Sequence, residues 1–221
     1  MITRWDERYA EDGFVFGTAP NDFLRAQAHR IPGQGKKGRD KGRALCLGDG
    51  EGRNGVWLAE QGYAVTAVDL SQVGLEKTQA LAAERGVAIE TIFADLADYP
   101  IEPAAWSGIV SIFCHTPTEI RVPLHRRVVD GLTEDGLFIL EGYHSDQIKN
   151  ETGGPSDPEL LITAVTIQQE LDGLDIVLAR DIKREVIEGT NHTGQASIAQ
   201  VFIDEKVKRK VTVFGDPFVC K

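Results

Sequence analysis

Between residues 43 and 142 the chain alternates short, continuous apolar runs with segments of helical periodicity. The apolar runs are 44–47, 64–68, 88–93, 108–113 and 137–140, and the helical segments between them are 53–61, 71–85 and 116–132. Continuous apolar strands are typical of a parallel sheet that is covered on both faces, with right-handed strand–helix–strand connections. The pattern therefore predicts an α/β fold with a doubly wound, mostly parallel sheet.

A different pattern follows in residues 143–204. Residues 145–160 are polar and glycine-rich, which predicts a loop, and Thr166 with Gln169 predicts the capping box of a helix. Residues 175–188 and 195–204 then alternate apolar and polar side chains, which predicts a long β-hairpin. We interpret the chain as a single domain, 1–221, with four parts: an N-terminal helical lid (1–30), a cofactor-binding core (43–142), a substrate-side region (143–204) and an unassigned tail (205–221).

Composition excludes several classes of protein. Lys and Arg number 24 and Asp and Glu 34, so the net charge is −10, and a surface field of that sign repels nucleic acids and anionic membranes. Three cysteines without paired spacing, at positions 46, 114 and 220, favour neither a disulfide framework nor a zinc site. No apolar run reaches 18 residues. We therefore expect a cytoplasmic protein with no metal, membrane or nucleic-acid partner. Oligomeric state, and the role of the basic loop 36–43, are left open.

Three glycines follow the first apolar run directly. Gly48, Gly50 and Gly52 free the backbone for a tight turn and for close approach of a ligand, and a helix begins immediately afterwards. The N–H groups of its first turn can bind a polar ligand. The spacing is G-x-G-x-G, whereas the dinucleotide fingerprint requires a third glycine at the position that Arg53 occupies here.

Aspartates end the next two strands of the predicted sheet. Asp69 lies 21 residues after Gly48 and is placed to accept from both ribose hydroxyls of an adenosine, or it caps the following helix. Asp95 can accept from an adenine amine with Leu96 against the ring, or it is a plain turn residue. Because carboxyl ends of parallel strands meet at one edge of a sheet, the glycines and aspartates predict a single ligand crevice.

These segments carry a resemblance to a known family. The run from Gly48 to Asn54, followed by Val65 to Ser71, resembles the class I S-adenosylmethionine-dependent methyltransferases, and within them the tellurite-resistance and thiopurine methyltransferase-like group. Trp5 to Tyr9 and Phe16 to Asn21 resemble that group's cofactor lid, and further similarities lie at 152–155 and 188–194. The resemblance implies a seven-stranded sheet with the last strand antiparallel, and methyl transfer from S-adenosylmethionine to a small molecule, such as a thiol or a selenium or tellurium oxyanion-like compound.

The resemblance also implies which residues bind the cofactor. One departure concerns Cys46, which stands where many class I enzymes carry an acid near the methionine amino group; we hypothesise that Asp49 supplies that charge instead. The implied cofactor contacts are Trp5, Phe16, Gly17, Gly48, Asp49, Gly50, Asn54, Asp69, Leu70, Ser71, Ala94, Asp95, Leu96, Phe113, Cys114 and His115.

Candidate residues for the acceptor side follow the fourth and fifth strands and the hairpin turn. His115 and Tyr143 are candidate catalytic residues, and Glu141, Tyr143 and His192 are candidate substrate contacts. The alternative for His115 is a loop histidine bonded to backbone. Glu141 and Tyr143 can instead mark a polar strand end, and His192 can be a plain turn histidine. Two other functions stay open: a non-catalytic S-adenosylmethionine-binding regulator, and a nicotinamide-dependent oxidoreductase, which Arg53 and the terminal hairpin disfavour.

Overall fold

Seven strands form one sheet in a computed structural model, which describes residues 3–34, 40–150, 152–189 and 192–204. Their bounds are β1 Arg43–Leu47, β2 Ala64–Asp69, β3 Glu90–Phe93, β4 Trp106–Ile112, β5 Leu132–Tyr143, β6 Ile176–Glu188 and β7 His192–Asp204. The spatial order is β3-β2-β1-β4-β5-β7-β6. Strands β1 to β5 pair in parallel, and β7 is antiparallel to β5 and β6. The predicted doubly wound sheet with an antiparallel last strand is confirmed.

Six α-helices connect or flank the strands in the described ranges. They are α1 Arg4–Tyr9, α2 Asp22–Gln27, α3 Arg53–Glu60, α4 Gln72–Arg85, α5 Thr118–Gly131 and α6 Ala164–Glu170. Short 3₁₀ turns occur at Ala28–Arg30, Ser145–Lys149 and Pro158–Leu160, and a two-residue strand pair joins Gly33–Gln34 to Asp40–Lys41. No described helix has the length and apolar character needed to cross a membrane. The tail 205–221 and most of the basic loop lie outside the described residues.

Capping side chains set the helix boundaries. Ser71 accepts from the Gly74 N–H at 3.0 Å to start α4, which ends at Gly86 with a φ of 69°. The predicted start of α6 at Thr166 is wrong by three residues. Thr163 is the cap, because its extended backbone lets its hydroxyl accept from the Thr166 N–H at 3.0 Å.

Both faces of the sheet are filled by apolar side chains, because successive residues of a strand point to opposite faces. In β1, Leu45 and Leu47 belong to the core cluster on one face, and Ala44 and Cys46 belong to the cluster on the other. Every residue of β4 is buried. The central strands β1 and β4 therefore have no room for a ligand along their length, and the polar side chains of the site lie at the carboxyl ends of the strands.

Candidate functional site

The glycine loop after β1 adopts a backbone that only glycine takes without strain. Gly48, Gly50 and Gly52 have φ values of 61°, 60° and 87°. A Cβ at Gly48 would lie 2.7 Å from Cys114 Sγ, and one at Gly50 would lie 2.5 Å from the Tyr9 hydroxyl oxygen. The loop is thus held between Cys114 and Tyr9, and it leads directly into α3.

Asp69 fixes this loop from the end of β2. Its carboxylate accepts from the Gly50 N–H at 2.8 Å and from the Ser71 N–H at 2.8 Å. Burial raises the pKa of Asp69, and these two hydrogen bonds partly offset the rise. Since Ser71 caps α4, Asp69 is not the helix cap that the sequence left open. Each carboxylate oxygen has a second acceptor position, so the contact with ribose hydroxyls stays a prediction.

The remaining wall of the crevice lies at the ends of β2 and β3. Leu70 is 38% exposed, and Asp95 is exposed with one oxygen accepting from the Ala97 N–H at 2.9 Å. The predicted contact of Leu96 with an adenine ring is not supported, because the Leu96 side chain is buried in the apolar core under α5. Leu70 is the exposed apolar side chain at this position, and the N–H of half-buried Ala94 donates to the Asp69 carbonyl at 3.1 Å.

Asp49 turns inward from the glycine loop. Its carboxylate accepts from the Gly55 N–H at 3.0 Å in the first turn of α3, which Gly52 at the N-cap cannot cap with a side chain. Burial, with a smaller contribution from the charge of Asp69, raises the pKa of Asp49 to about 7. An ionised Asp49 would therefore gain from a nearby cation, and its proposed place beside the cofactor's ammonium stays a prediction.

A strained turn follows β4. Phe113 has a φ of 51°, which is rare for an aromatic residue, and its N–H donates to the Glu141 carbonyl at 2.7 Å. The turn places Cys114 over Gly48 and directs His115 towards β5, where its ring stacks on Tyr143 at 5.5 Å. Burial raises the pKa of the Cys114 thiol to about 12, so this thiol is neutral.

The N-terminal segment, residues 3–34, lies over the glycine loop. Three aromatic rings cluster there: Trp5 stacks on Tyr9 at 5.5 Å, and Phe16 lies 6.3 Å from Tyr9. Burial raises the pKa of Tyr9, as do the charges of Asp69 and Glu51. Sequence reasoning missed Tyr9, although its position one turn after Trp5 on an amphipathic helix was a usable signal.

Two carboxylates anchor this segment to the core. Asp6 accepts from the Ser71 hydroxyl at 2.7 Å, and hydrogen bonds from the Thr3 N–H and from Ser71 lower the pKa of Asp6. Glu51 accepts from the Val15 N–H at 2.8 Å and pairs with Lys77 at 2.9 Å. The segment is therefore tied to both ends of the crevice, at α4 and at the glycine loop.

A buried set of polar side chains, here called the junction network, joins the N-terminal segment to the hairpin. The Asn21 amide donates to Glu141 and to Glu188, both at 2.8 Å. Arg53 pairs with Glu188 at 2.6 Å, and Arg184 pairs with both glutamates. Two positive and two negative charges therefore cancel inside the protein. The members are Asn21, Arg53, Glu141, Arg184, Glu188 and Gln200.

The contacts of Asn21 and Glu141 in this region correct two interpretations from the sequence. Glu141 is 1% exposed, and Asn21, Arg184 and Gln200 donate to its two oxygens, so it is a structural anchor rather than a substrate contact. The Asn54 side chain accepts from the Asn21 N–H at 2.9 Å, which directs it to the N-terminal segment instead of the cofactor.

Tyr143 has no solvent-exposed area, and a Cβ at Gly154 would lie 2.9 Å from its ring. An acceptor could therefore not reach Tyr143 in this conformation. The backbone of His192 begins β7, but its side chain lies outside the described residues. Within the described ranges, no three His, Cys, Asp or Glu side chains are grouped so as to hold a metal ion.

Comparison with known proteins identifies the core. A family model described as a methyltransferase domain matches residues 44–136. A curated protein of Geobacillus sp. (strain WCH70), provisionally named a methyltransferase, is 31% identical over 137 residues, which is 58% of this chain. The match spans about half, 52%, of that relative's own length.

Solved structures agree on the fold. TehB from Haemophilus influenzae superimposes with a TM-score of 0.67 at 16% identity, covering 91% of this chain and 66% of that one. A SAM-dependent methyltransferase from Aquifex aeolicus superimposes with a TM-score of 0.58 at 13% identity, covering 83% of this chain and 89% of that one. The chain therefore carries a methyltransferase domain at residues 44–136, and the resemblance to class I S-adenosylmethionine-dependent methyltransferases is confirmed.

Proposed function

We propose that this protein transfers a methyl group from S-adenosylmethionine to a small-molecule acceptor in the cytoplasm. The observation that carries the proposal is the connection between Gly50 and Asp69. The glycine loop in its left-handed conformation is bonded directly to the carboxylate that ends β2, so the two predicted cofactor-binding elements form one rigid unit. A unit of this kind positions a nucleoside and its attached chain together.

The residues around that unit fit the cofactor's separate parts. Asp69 keeps acceptor positions for ribose hydroxyls, and Leu70 and Asp95 offer an apolar surface and a polar edge for adenine. Asp49 provides a carboxylate whose ionisation a cation would favour. The cofactor supplies an activated methyl group, and the protein's part is binding, orientation and exclusion of water.

The charge balance near Phe113 and Tyr143 bears on the acceptor. Arg53 and Arg184 are both paired with buried glutamates, so the junction network offers no surplus positive charge to an oxyanion. This balance supports a neutral acceptor such as a thiol, within the broader tellurite-resistance and thiopurine methyltransferase-like group.

Arg53 also bears on the competing oxidoreductase function. A dinucleotide fold uses its third glycine for close helix–strand packing, whereas Arg53 extends from α3 into a buried ion pair with Glu188. The alternative of a non-catalytic regulator would use the same cofactor crevice and would differ only in the absence of turnover.

Calorimetry with S-adenosylmethionine, S-adenosylhomocysteine and NADH tests the proposal. We expect both adenosyl compounds to bind and NADH not to bind. Asp69→Ala should weaken binding by about 10- to 150-fold, since a charged acceptor to two hydroxyls is worth roughly 1.5–3 kcal/mol. It should also destabilise the fold, because the N–H groups of Gly50 and Ser71 lose their partner.

Asp69→Asn separates these two effects, because its amide oxygen can still accept one of the backbone hydrogen bonds. It should recover part of the stability and little of the affinity. NADH binding without adenosyl-compound binding would overturn the proposal. Equal affinity in parent and folded Asp69→Ala would show that Asp69 only fixes the loop.

A further inference from the structure

His115 has a defined proton arrangement. Its Nδ1 lies 3.1 Å from the Leu160 carbonyl oxygen, and since a carbonyl can only accept, Nδ1 carries the proton. Burial, with a smaller contribution from the positive charge of Arg121, lowers the pKa of His115 to about 4, so the ring is neutral near pH 7. The Nε2 atom is therefore a bare acceptor.

This acceptor is buried and has no hydrogen-bond partner among the residues that the structure describes. Leaving a buried polar atom unsatisfied costs about 1–3 kcal/mol. The residue lines a small cavity of about 10 Å³, which is room for about one water-sized group. Polar and apolar neighbours share the wall, among them Ser111, Cys114, Thr116, Leu140 and Ile162.

The residues that line this cavity place it beside the cofactor crevice. Cys114 both lines the cavity and covers Gly48 of the glycine loop. Gly142 lies beside the imidazole, since a Cβ there would stand 3.8 Å from His115 Cε1, at ordinary van der Waals distance. The charged groups nearby are already compensated: Arg121 on α5 pairs with Glu170 on α6 at 2.9 Å, and Glu141 is held by the junction network. His125 Nδ1 lies 2.8 Å from the same Glu170 carboxylate.

We propose that His115 Nε2 receives the proton of the methyl acceptor, and that the acceptor is a thiol or a hydroxyl rather than an amine. This inference rests on the proposed methyltransferase function. The acceptor's S–H or O–H group enters the small cavity and donates to Nε2. As the acceptor atom bonds to the methyl carbon, the bond from that carbon to the sulfonium sulfur breaks with its electrons left on sulfur, and the acceptor's proton passes to Nε2.

The choice of acceptor follows from acidity. A methylated thiol or alcohol that still holds its proton is a very strong acid, so even the weakly basic buried imidazole can remove that proton. A neutral amine already carries a free lone pair and reacts without giving up a proton, so a bare acceptor at Nε2 offers it no comparable advantage. A single hydrogen-bond acceptor also suits one S–H or O–H group, whereas a neutral amine brings two N–H donors to a site with one acceptor.

His115→Asn tests the proposal, because the Asn amide can still donate to the Leu160 carbonyl but has no atom at the Nε2 position. His29→Asn is the matched control, since His29 is exposed in the 3₁₀ turn Ala28–Arg30 and makes none of the contacts described for the crevice. The probes are 2-phenylethanethiol and 2-phenylethylamine, which share a shape and differ in the reacting group.

We expect the parent protein and His29→Asn to methylate the thiol and not the amine. His115→Asn should keep the affinity for S-adenosylmethionine and the melting temperature while losing about 10²- to 10⁴-fold in kcat. Its remaining rate should rise about tenfold per pH unit as the thiol ionises in solution, whereas the parent rate should change little between about pH 6 and pH 8.

Three results would overturn the inference. They are an unchanged kcat and pH profile in His115→Asn, a parent that methylates only the amine, and a parent that binds S-adenosylmethionine but methylates neither probe. The first would show that the cavity holds a structural water only. Absence of S-adenosylmethionine binding by the parent would instead contradict the proposed function itself, so the two failures are distinguishable.

Discussion

The crevice and the junction network both contain buried carboxylates, but the groups that stabilise these carboxylates differ between the two regions. In the crevice, Asp49 and Asp69 accept from backbone N–H groups, and no described ion pair involves either side chain. In the junction network, Glu141 and Glu188 pair with arginine side chains. Backbone dipoles leave the crevice with net negative charge that a cation can use, whereas the arginines leave the junction neutral and closed. The first arrangement suits binding of a cationic ligand and the second suits structural support.

Removing one carboxylate from the junction should give the largest effect. Glu188→Ala leaves Arg53 and Arg184 buried with one glutamate between them, and an uncompensated buried charge costs about 3–5 kcal/mol. Urea unfolding should show this loss, while exposed Glu185→Ala on the same strand should change stability by less than about 0.5 kcal/mol. Equal effects of the two variants would show that the junction contributes no more than an exposed surface charge.

A steric change tests the same junction without altering its charges. Gly189 at the hairpin tip has a φ of 71°, and a Cβ there would lie 2.3 Å from the Val15 carbonyl oxygen. Gly86 has a nearly identical φ of 69° with open space around it, so Gly86→Ala measures the backbone penalty alone. Thermal unfolding should show Gly189→Ala to be less stable than Gly86→Ala by about 1–3 kcal/mol. A difference near zero would mean that the N-terminal segment moves aside at no cost.

In the crevice, the expected effect is smaller and depends on pH. Because Asp49 ionises near 3.8 when unfolded and at about 7 when folded, its folded form holds a proton that the unfolded chain has released. The contribution of Asp49 to the free energy of unfolding is therefore fully present below about pH 4 and is lost as pH rises through about 7. Asp49→Asn should remove this slope, which we expect to amount to about 1–2 kcal/mol in urea titrations at pH 6 and 8.

Asp49→Asn also tests which positively charged group of the cofactor, the ammonium or the sulfonium, lies beside Asp49. If Asp49 faces the ammonium, affinity for S-adenosylmethionine and S-adenosylhomocysteine should rise alike as pH increases towards about 7, and Asp49→Asn should abolish both trends. A trend confined to S-adenosylmethionine would place Asp49 at the sulfonium. Affinity that does not depend on pH or on this substitution would show that Asp49 only caps α3.

Sequence reasoning reached the crevice because its parts lie at the ends of neighbouring strand–helix units. The glycine loop, Asp69 and Asp95 each follow an apolar run at a recognisable distance, so topology alone brings them together. Leu96 was misplaced because a chain pattern does not show which side of a turn faces the core. Strand ends could be located from the sequence, but the orientation of each side chain there could not.

The junction network could not be found in this way. Asn21 caps α2, since the Leu24 N–H donates to its side-chain oxygen, but its amide nitrogen reaches glutamates 120 and 167 residues away. No local spacing encodes such a contact. Glu141 looked like a substrate ligand because a carboxylate at a strand end is ambiguous until its partners are known. The dependence on distant partners is the physical reason why the acceptor side was predicted less well than the cofactor side.

The contact between Asn21 and Glu188 has a consequence for biosynthesis. During translation the parallel core can assemble from neighbouring strand–helix units as they leave the ribosome. The N-terminal segment, although made first, lacks Glu188, the second acceptor of the Asn21 amide, until the hairpin emerges some 167 residues later. The earliest part of the chain to be synthesised is thus among the last to complete its contacts, and a product truncated before the hairpin would lack the contact between Asn21 and Glu188.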